Sequence, residues 1–176
     1  MTKKFEKWIV LFGINYLLWH IAIIFLDVDL WNKFYMQDLF DFLTPYIHVA
    51  FFIVLAGLMT RNDWTSAVAK NRGAMLLLVI ASVMFVQGQG IHLAANAIAR
   101  HLSDTSQSIY SLTYLFDENL GHIFWDAGLI LATIALIWLA CGKTALEAGE
   151  KLNPLMIQVF AIAFGFTYFC NAVEGQ

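Results

Sequence analysis

Charged residues are scarce in this chain: Asp, Glu, Lys and Arg make up 13% of its 176 residues, whereas 60% are apolar. A soluble domain rarely carries so little charge on so apolar a sequence. The composition therefore indicates an integral membrane protein in contact with the lipid bilayer. The net charge is −3 and the chain has no basic tract, so it lacks the electrostatic signature of a nucleic-acid-binding protein.

Cysteine is also scarce, and a cleavable leader is not indicated. The two cysteines, Cys141 and Cys170, fall near opposite ends of different apolar segments, so a disulfide between them is not expected. Lys3, Lys4 and Lys7 precede the first apolar segment as in a signal peptide. That segment is too long, however, and no small-x-small cleavage site follows it. We therefore expect a retained helix.

The apolar segments predict an all-α fold, a polytopic bundle of five transmembrane helices. Two helix starts are marked by the only prolines, because Thr44-Pro45 and Asn153-Pro154 each pair a capping residue with proline at the first helical position. The second span is short for an apolar layer about 30 Å thick, so residues 39–43 either extend it or lie in the interface. The single domain 1–176 has predicted spans at about 8–26, 45–60, 74–98, 120–141 and 154–174.

Lysine and arginine are distributed unevenly between the two sides of this five-span bundle. All of them except Lys33 and Arg100 fall on one side, and most of the acids fall on the other. Cytoplasmic loops carry the excess of Lys and Arg. We therefore predict a multi-pass protein with a cytoplasmic N-terminus and an outside C-terminus, in the plasma or inner membrane by default. The cytoplasmic residues are Lys3, Lys4, Lys7, Arg61, Lys70, Arg72, Lys143 and Lys151.

Four of the five predicted spans carry a histidine, and all four histidines lie toward the outer surface. Counted along a helix at about 1.5 Å per residue, each lies within roughly 10 Å of the outer end of its span. Ionisable side chains in lipid are costly and mark functional sites by default. Their convergence at one depth predicts a site in the outer half of the bilayer. These residues are His20, His48, His92 and His122.

Helix periodicity adds carboxylate and amide groups to the histidines. Glu118, His122 and Asp126 follow an i, i+4, i+8 spacing and share one face of the fourth span. A carboxylate and an imidazole in this relation can both bind one metal ion. Two further polar stripes, on the third and fifth spans, are Gln89, His92 and Asn96, and Thr167, Asn171 and Glu174.

Imidazoles beside carboxylates favour zinc, iron or copper, so a transition-metal site is the first hypothesis. His92 and His122 are the leading ligands. With zinc, a bound water would become a hydroxide near neutral pH, and Glu118 or Asp126 would serve as general base or acid. The pattern thus predicts a metal-dependent enzyme acting on a lipid-like substrate. The further predicted ligands are His20, His48 and Glu174, and the predicted supporting side chains are Asn96, Gln89, Asn171 and Asp117.

Two alternatives stay open. Haem b needs two axial histidines from neighbouring helices, and His20/His92 or His48/His122 could supply them. The chain could also be a small accessory subunit that binds other membrane subunits, with its polar groups forming an interhelical hydrogen-bond network. Single residues have plain readings too, because a membrane histidine often bonds a neighbouring helix and acids at the start of the fourth span suit a helix N-terminus.

The sequence identifies no family. The arrangement is similar in concept to that of seven-span membrane metal hydrolases of the alkaline-ceramidase type, which carry a late HxxxH pair. This chain has no such pair; its nearest spacings are His92-x-x-x-Asn96 and Glu118-x-x-x-His122. It also has fewer predicted spans.

Overall fold

The computed structural model describes residues 2–141 and 153–174, excluding the side chains of residues 2, 20, 23, 24 and 170–174. The described chain is predominantly helical, which confirms the all-α class. The elements in chain order are α1 (Thr2–Ile24), β1 (Asp29–Trp31), β2 (Phe34–Tyr35), α2 (Met36–Met59), α3 (Trp64–Lys70), α4 (Arg72–Ala99), α5 (Ser108–Tyr114), a π-helical segment (Leu115–Gly121), α6 (His122–Cys141) and α7 (Pro154–Glu174).

Three helices are long and apolar enough to cross a membrane. They are α2, α4 and the continuous helix Ser108–Cys141, which comprises α5, the π-helical segment and α6. The apolar helix Pro154–Phe169 within α7 is shorter. Many apolar side chains on these helices are exposed, including Ile123 and Ile162. Such surfaces suit contact with lipid rather than with water.

The second helix begins earlier than its proline suggests. It starts at Met36, and Pro45 lies inside it. The carboxylate of Asp38 accepts a hydrogen bond of 2.7 Å from the backbone N–H of Tyr35, as an acidic residue in the first turn of a helix does. Proline removes one backbone donor, so the carbonyl of Asp41 loses a single helical hydrogen bond. The segment before Pro45 therefore extends the helix.

Helices α4 and α6 run antiparallel and pack closely against each other. A Cβ added at Gly88 would lie 2.3 Å from the backbone nitrogen of Trp125, and one added at Gly128 would lie 2.5 Å from that of Phe85. Only glycine fits at these two points. Small residues allow helix backbones to approach closely in membranes, where van der Waals contact drives association. This contact fixes the position of α6 relative to α4.

A second layer of aromatic residues joins the remaining helices to this pair. Phe12 and Tyr16 of α1 are buried and stack or tilt against Phe160 and Phe164 of α7, with ring centroids 5.2 to 6.4 Å apart. Phe52 of α2 contacts Phe12 with centroids 5.7 Å apart. Aromatic pairs at these separations contribute beyond simple burial. The helices therefore share one core.

The strands β1 and β2 form a small antiparallel hairpin. Polar contacts hold this hairpin and the start of α2 against the end of α4. The guanidinium of Arg100 lies 2.5 Å from the buried carboxylate of Asp38 and packs over the ring of Tyr35. Lys33 donates a hydrogen bond of 2.8 Å to the carbonyl of Arg100. The start of α2 is thereby held beside the end of α4.

Candidate histidine–carboxylate site

The helix that carries the acidic residues widens at its polar end. Residues Leu115–Gly121 form a π-helical segment, a feature that is frequent at functional sites. An extra residue in a helical turn changes which side chains share a face. Asp117 is the buried acid of this segment, whereas the side chain of Glu118 is 26% exposed.

Both ring nitrogens of His92 have a polar neighbour. Nδ1 lies 2.6 Å from Oδ1 of Asp117, an ion-pair separation whose angles do not meet the geometry of a hydrogen bond. Nε2 accepts a hydrogen bond of 3.2 Å from Nδ2 of Asn96, one turn further along α4. The ring therefore lies between these two side chains, with Nε2 directed away from Asp117.

The ring of His122 lies directly against that of His92. Their centroids are 5.1 Å apart and the ring planes are nearly perpendicular, at 88°. Trp125 packs on both, with its centroid 5.8 Å from His92 and 5.6 Å from His122. A Cβ added at Gly121 would lie 3.2 Å from Cβ of His92. The small residue at that point thus allows the two histidine-bearing helices to meet.

Two further carboxylates lie beside His122. Oε2 of Glu118 is 3.8 Å from Nε2 of His122, a separation suited to an ion pair but too long for a hydrogen bond. Asp126 follows one turn later; it is partly buried and interacts electrostatically with His122. Two imidazoles and three carboxylates therefore share this end of the α4–α6 interface.

Helix α2 contributes acids that the sequence analysis did not select. Asp41 interacts electrostatically with both His92 and Asp117. Asp38 is fully buried, and its hydrogen bond raises the pKa of Arg100 above the usual value. The sequence feature that could have identified Asp38 and Asp41 is their spacing of one helical turn, which places both on one helix face. The pattern Thr44-Pro45 instead predicts a helix start after these acids, whereas the helix begins at Met36.

Gln89 lies on the same face of α4 as His92, one turn earlier. Its side chain is 1% exposed, and neither amide atom has a hydrogen-bond partner within the described part of the chain. A buried amide without partners costs about 1–3 kcal/mol. Glutamine at this position thus lowers stability unless another group satisfies it.

His48 is placed apart from the other two described histidines of the predicted site. It is fully buried, its Nδ1 lies 2.7 Å from the carbonyl of Thr44, and its ring packs on Phe12, Tyr16 and Phe85. Nδ1 of His48 is thus engaged with the backbone of its own helix, and the role of His48 as a ligand stays a prediction. The side chains of His20, Asn171 and Glu174, also predicted site residues, lie outside the described residues.

The described side chains do not form a complete ligand set. Among them, no three of His, Cys, Asp and Glu are positioned to hold one metal ion together. His92 and His122 are adjacent. Glu118, however, lies 3.8 Å from Nε2 of His122, and Asp117 lies against Nδ1 of His92. A metal held by both imidazoles would require a carboxylate or water to move in, together with displacement of Asn96 from Nε2 of His92.

Comparisons of the chain with protein-family models, with curated proteins and with solved structures give no match.

Proposed function

We propose that the protein is a membrane-embedded, metal-dependent enzyme that acts on a lipid-like substrate. Its metal ion would be held by His92 and His122, with Glu118 or Asp126 completing the ligand set or acting as general acid or base. Zinc, iron and copper all suit this mixture of imidazole and carboxylate. With zinc, the metal would supply a hydroxide near neutral pH for attack on an ester or amide.

The observation that carries this proposal is the carboxylate of Asp117 on Nδ1 of His92. Metal-binding histidines almost always donate their other ring N–H to a carboxylate, carbonyl or water, which fixes the tautomer and raises the basicity of the ligating nitrogen. Asp117 would therefore hold the orientation of His92 through its contact at Nδ1 and leave Nε2 to bind the metal. The ring of His122, with its centroid 5.1 Å away, would supply a second nitrogen.

The unsatisfied amide of Gln89 supports a polar occupant in the same region. Gln89 and His92 are three residues apart on α4 and share a face. A substrate carbonyl or a bound water near His92 would give this buried amide a hydrogen-bond partner. Trp125 would shield that region from bulk water, since it packs on both histidines.

The membrane arrangement that goes with this proposal is the five-span bundle with a cytoplasmic N-terminus. α1 and α7 would cross the membrane together with the three long apolar helices, because they pack against the same core. The excess of Lys and Arg on one side sets the orientation. The histidine–carboxylate site would then lie in the outer half of the bilayer, where the polar part of a lipid-like substrate could reach it.

Metal content tests the proposal. We expect detergent-purified protein to contain zinc, iron or copper near one equivalent by ICP-MS, and a His92→Ala/His122→Ala variant to lose it. A His101→Ala variant is the control, because His101 is exposed and its one hydrogen bond among the described residues is to the carbonyl of Ala97. Full metal content in the double variant would contradict the proposed ligands.

The same samples separate the alternatives. A Soret band in the visible spectrum would replace this proposal with a haem b protein. Folded protein with neither metal nor colour would contradict both cofactor proposals and favour an accessory subunit. In that case, alanine at His92 or Asp117 should impair assembly with other membrane subunits rather than any activity of the isolated chain.

A further inference from the structure

A polar cavity lies at the opposite ends of the long helices from the histidine site. It has a volume of about 330 Å³ and opens between the end of α2, the short helix α3 and the start of α4. Its polar lining residues are Thr60, Arg61, Asp63, Ser66, Lys70 and Asn71.

The wall of this cavity is predominantly cationic. Arg61 and Lys70 contribute two positive charges, against the single acid Asp63. One carboxylate oxygen of Asp63 already accepts the backbone N–H of Ser66 at 3.0 Å and caps α3. The hydroxyl of Thr60 donates to backbone carbonyls of its own helix. The net charge of the wall therefore favours an anion.

The turn that presents Arg61 is fixed by close packing. Arg61 and Asn62 adopt positive φ values of 55° and 60°, a left-handed conformation that is uncommon for residues other than glycine. The backbone N–H of Asn62 donates to the carbonyl of Gly57 at 2.7 Å. A Cβ at Gly57 would lie 2.8 Å from Oδ1 of Asn62 and 3.0 Å from the ring of Trp64. The cavity is therefore formed by the packed fold rather than by a loose loop.

The cavity also lies where lipid headgroups would be. α2 ends at Met59 and α4 begins at Arg72, and both helices are long and apolar enough to cross a membrane. α3, which links them, exposes Trp64 and Val68, and tryptophan is enriched at membrane–water interfaces. A ligand in this cavity would sit at the level of phosphate groups.

We propose that this cavity binds a phosphate group at the membrane surface. Arginine presents a planar set of donors that matches phosphate oxygens, and lysine adds a point charge. The hydroxyl of Ser66 and the amide of Asn71 are neutral groups within the same lining. The phosphate belongs either to an anionic lipid or to a soluble phosphate compound, and both present the same chemistry to Arg61 and Lys70.

Native mass spectrometry of the full chain in detergent tests this site with two lipids that differ only in a phosphate. We expect dioleoyl phosphatidic acid to bind more tightly than dioleoylglycerol. In an Arg61→Gln/Lys70→Gln variant, affinity for phosphatidic acid should fall by at least about tenfold, because two charged donors to the phosphate are lost. Isothermal titration with inorganic phosphate then distinguishes the sources: binding of phosphate alone, lost in the same variant, assigns a soluble ligand.

Matched variants separate the cavity from general surface charge. A Lys3→Gln/Lys7→Gln variant removes two positive charges from α1, outside the cavity, and should change the affinity less than about twofold, since exposed charges contribute little. An Arg61→Lys/Lys70→Arg variant keeps the charge and should retain most of the binding, which controls for folding. Equal loss in both glutamine variants, or no phosphate-dependent binding in the wild-type protein, would overturn the proposal.

Discussion

The Oδ1 atom of Asp117 lies 2.6 Å from Nδ1 of His92, across the interface between the π-helical segment and α4. Because Asp117 lies beside Nδ1, Nε2 is the ring nitrogen that is directed away from the carboxylate. The nearby ring of His122 makes this nitrogen part of a pair. The chemistry of the site therefore depends on a contact between two helices, and disturbing either helix should disturb it.

Replacing Asp117 by Asn should weaken metal binding without abolishing it. The variant keeps the size of the side chain but removes its charge, and loss of a carboxylate behind a ligating histidine typically costs about 10–100-fold in metal affinity. Competition with a chromophoric zinc chelator measures the change. Unaltered affinity would show that Asp117 does not orient a metal ligand.

Replacing Asn96 by Ala should have the opposite effect on zinc binding. Its amide lies 3.2 Å from Nε2 of His92, the nitrogen that the metal would need. A hydrogen bond contributes about 0.5–1.5 kcal/mol, so its removal should raise zinc affinity by about two- to twelvefold. The same chelator competition applies. A clear fall in affinity would instead identify Asn96 as a supporting group that the bound state requires.

Glycine at position 88 should be essential to the contact between α4 and α6. A Cβ there would lie 2.3 Å from a backbone nitrogen, so Gly88→Ala should destabilise the fold by about 1–3 kcal/mol or more. Gly90→Ala is the matched control on the same helix, where an added Cβ meets nothing within 4 Å. Alanine favours helix by up to about 1 kcal/mol over glycine, so this variant should be neutral or stabilising. Thermal unfolding in detergent compares them; similar losses in both variants would argue against this packing.

Removing the guanidinium of Arg100 should be costly because it leaves Asp38 buried and charged. Asp38 is fully buried and pairs with Arg100 at 2.5 Å. We expect Arg100→Gln to destabilise the fold by about 3 kcal/mol, the range for breaking one partner of a buried pair. Adding Asp38→Asn should restore part of that loss, and a double-mutant cycle of unfolding free energies measures the coupling. Additive effects of the two substitutions would contradict a direct pair.

The proposed orientation can be tested with single cysteines. In a background with Cys141 and Cys170 replaced by Ala, Ser66→Cys and Ser106→Cys place a thiol between different pairs of long helices. Membrane-impermeant maleimide applied to intact cells should label position 106 and reach position 66 only after permeabilisation, since positively charged loops stay inside. The reverse labelling pattern would invert the topology, and labelling of both without permeabilisation would contradict α4 as a span.

Sequence periodicity was sufficient to predict the helical class and the region where His92 and His122 meet. Both histidines lie on long apolar helices whose small residues favour close packing, and these features can be read from the sequence. The partner of His92 could not be assigned in this way. The spacing of Glu118, His122 and Asp126 favoured Glu118 as the acid beside the histidines, whereas the buried acid of the π-helical segment is Asp117.

The sequence pattern did not predict that α2 contributes acids near the histidine–carboxylate site, and the reason is different. Thr44-Pro45 has the pattern of a helix start, and an interior proline normally breaks a helix. Here the proline costs one hydrogen bond while Asp38 and Arg100 hold the earlier turns in place. Such tertiary support is not encoded in local propensity. Asp41, which interacts electrostatically with His92, was therefore not recognised as a neighbour of the site.

Zinc K-edge X-ray absorption tests the central claim most directly. Protein reloaded with one equivalent of zinc should show imidazole scattering with zinc–nitrogen distances of about 2.0–2.1 Å. That scattering should be lost in the His92→Ala/His122→Ala variant and retained in His101→Ala. A wild-type spectrum without imidazole scattering would contradict a metal held between His92 and His122. The same imidazole scattering in the double variant would also contradict it.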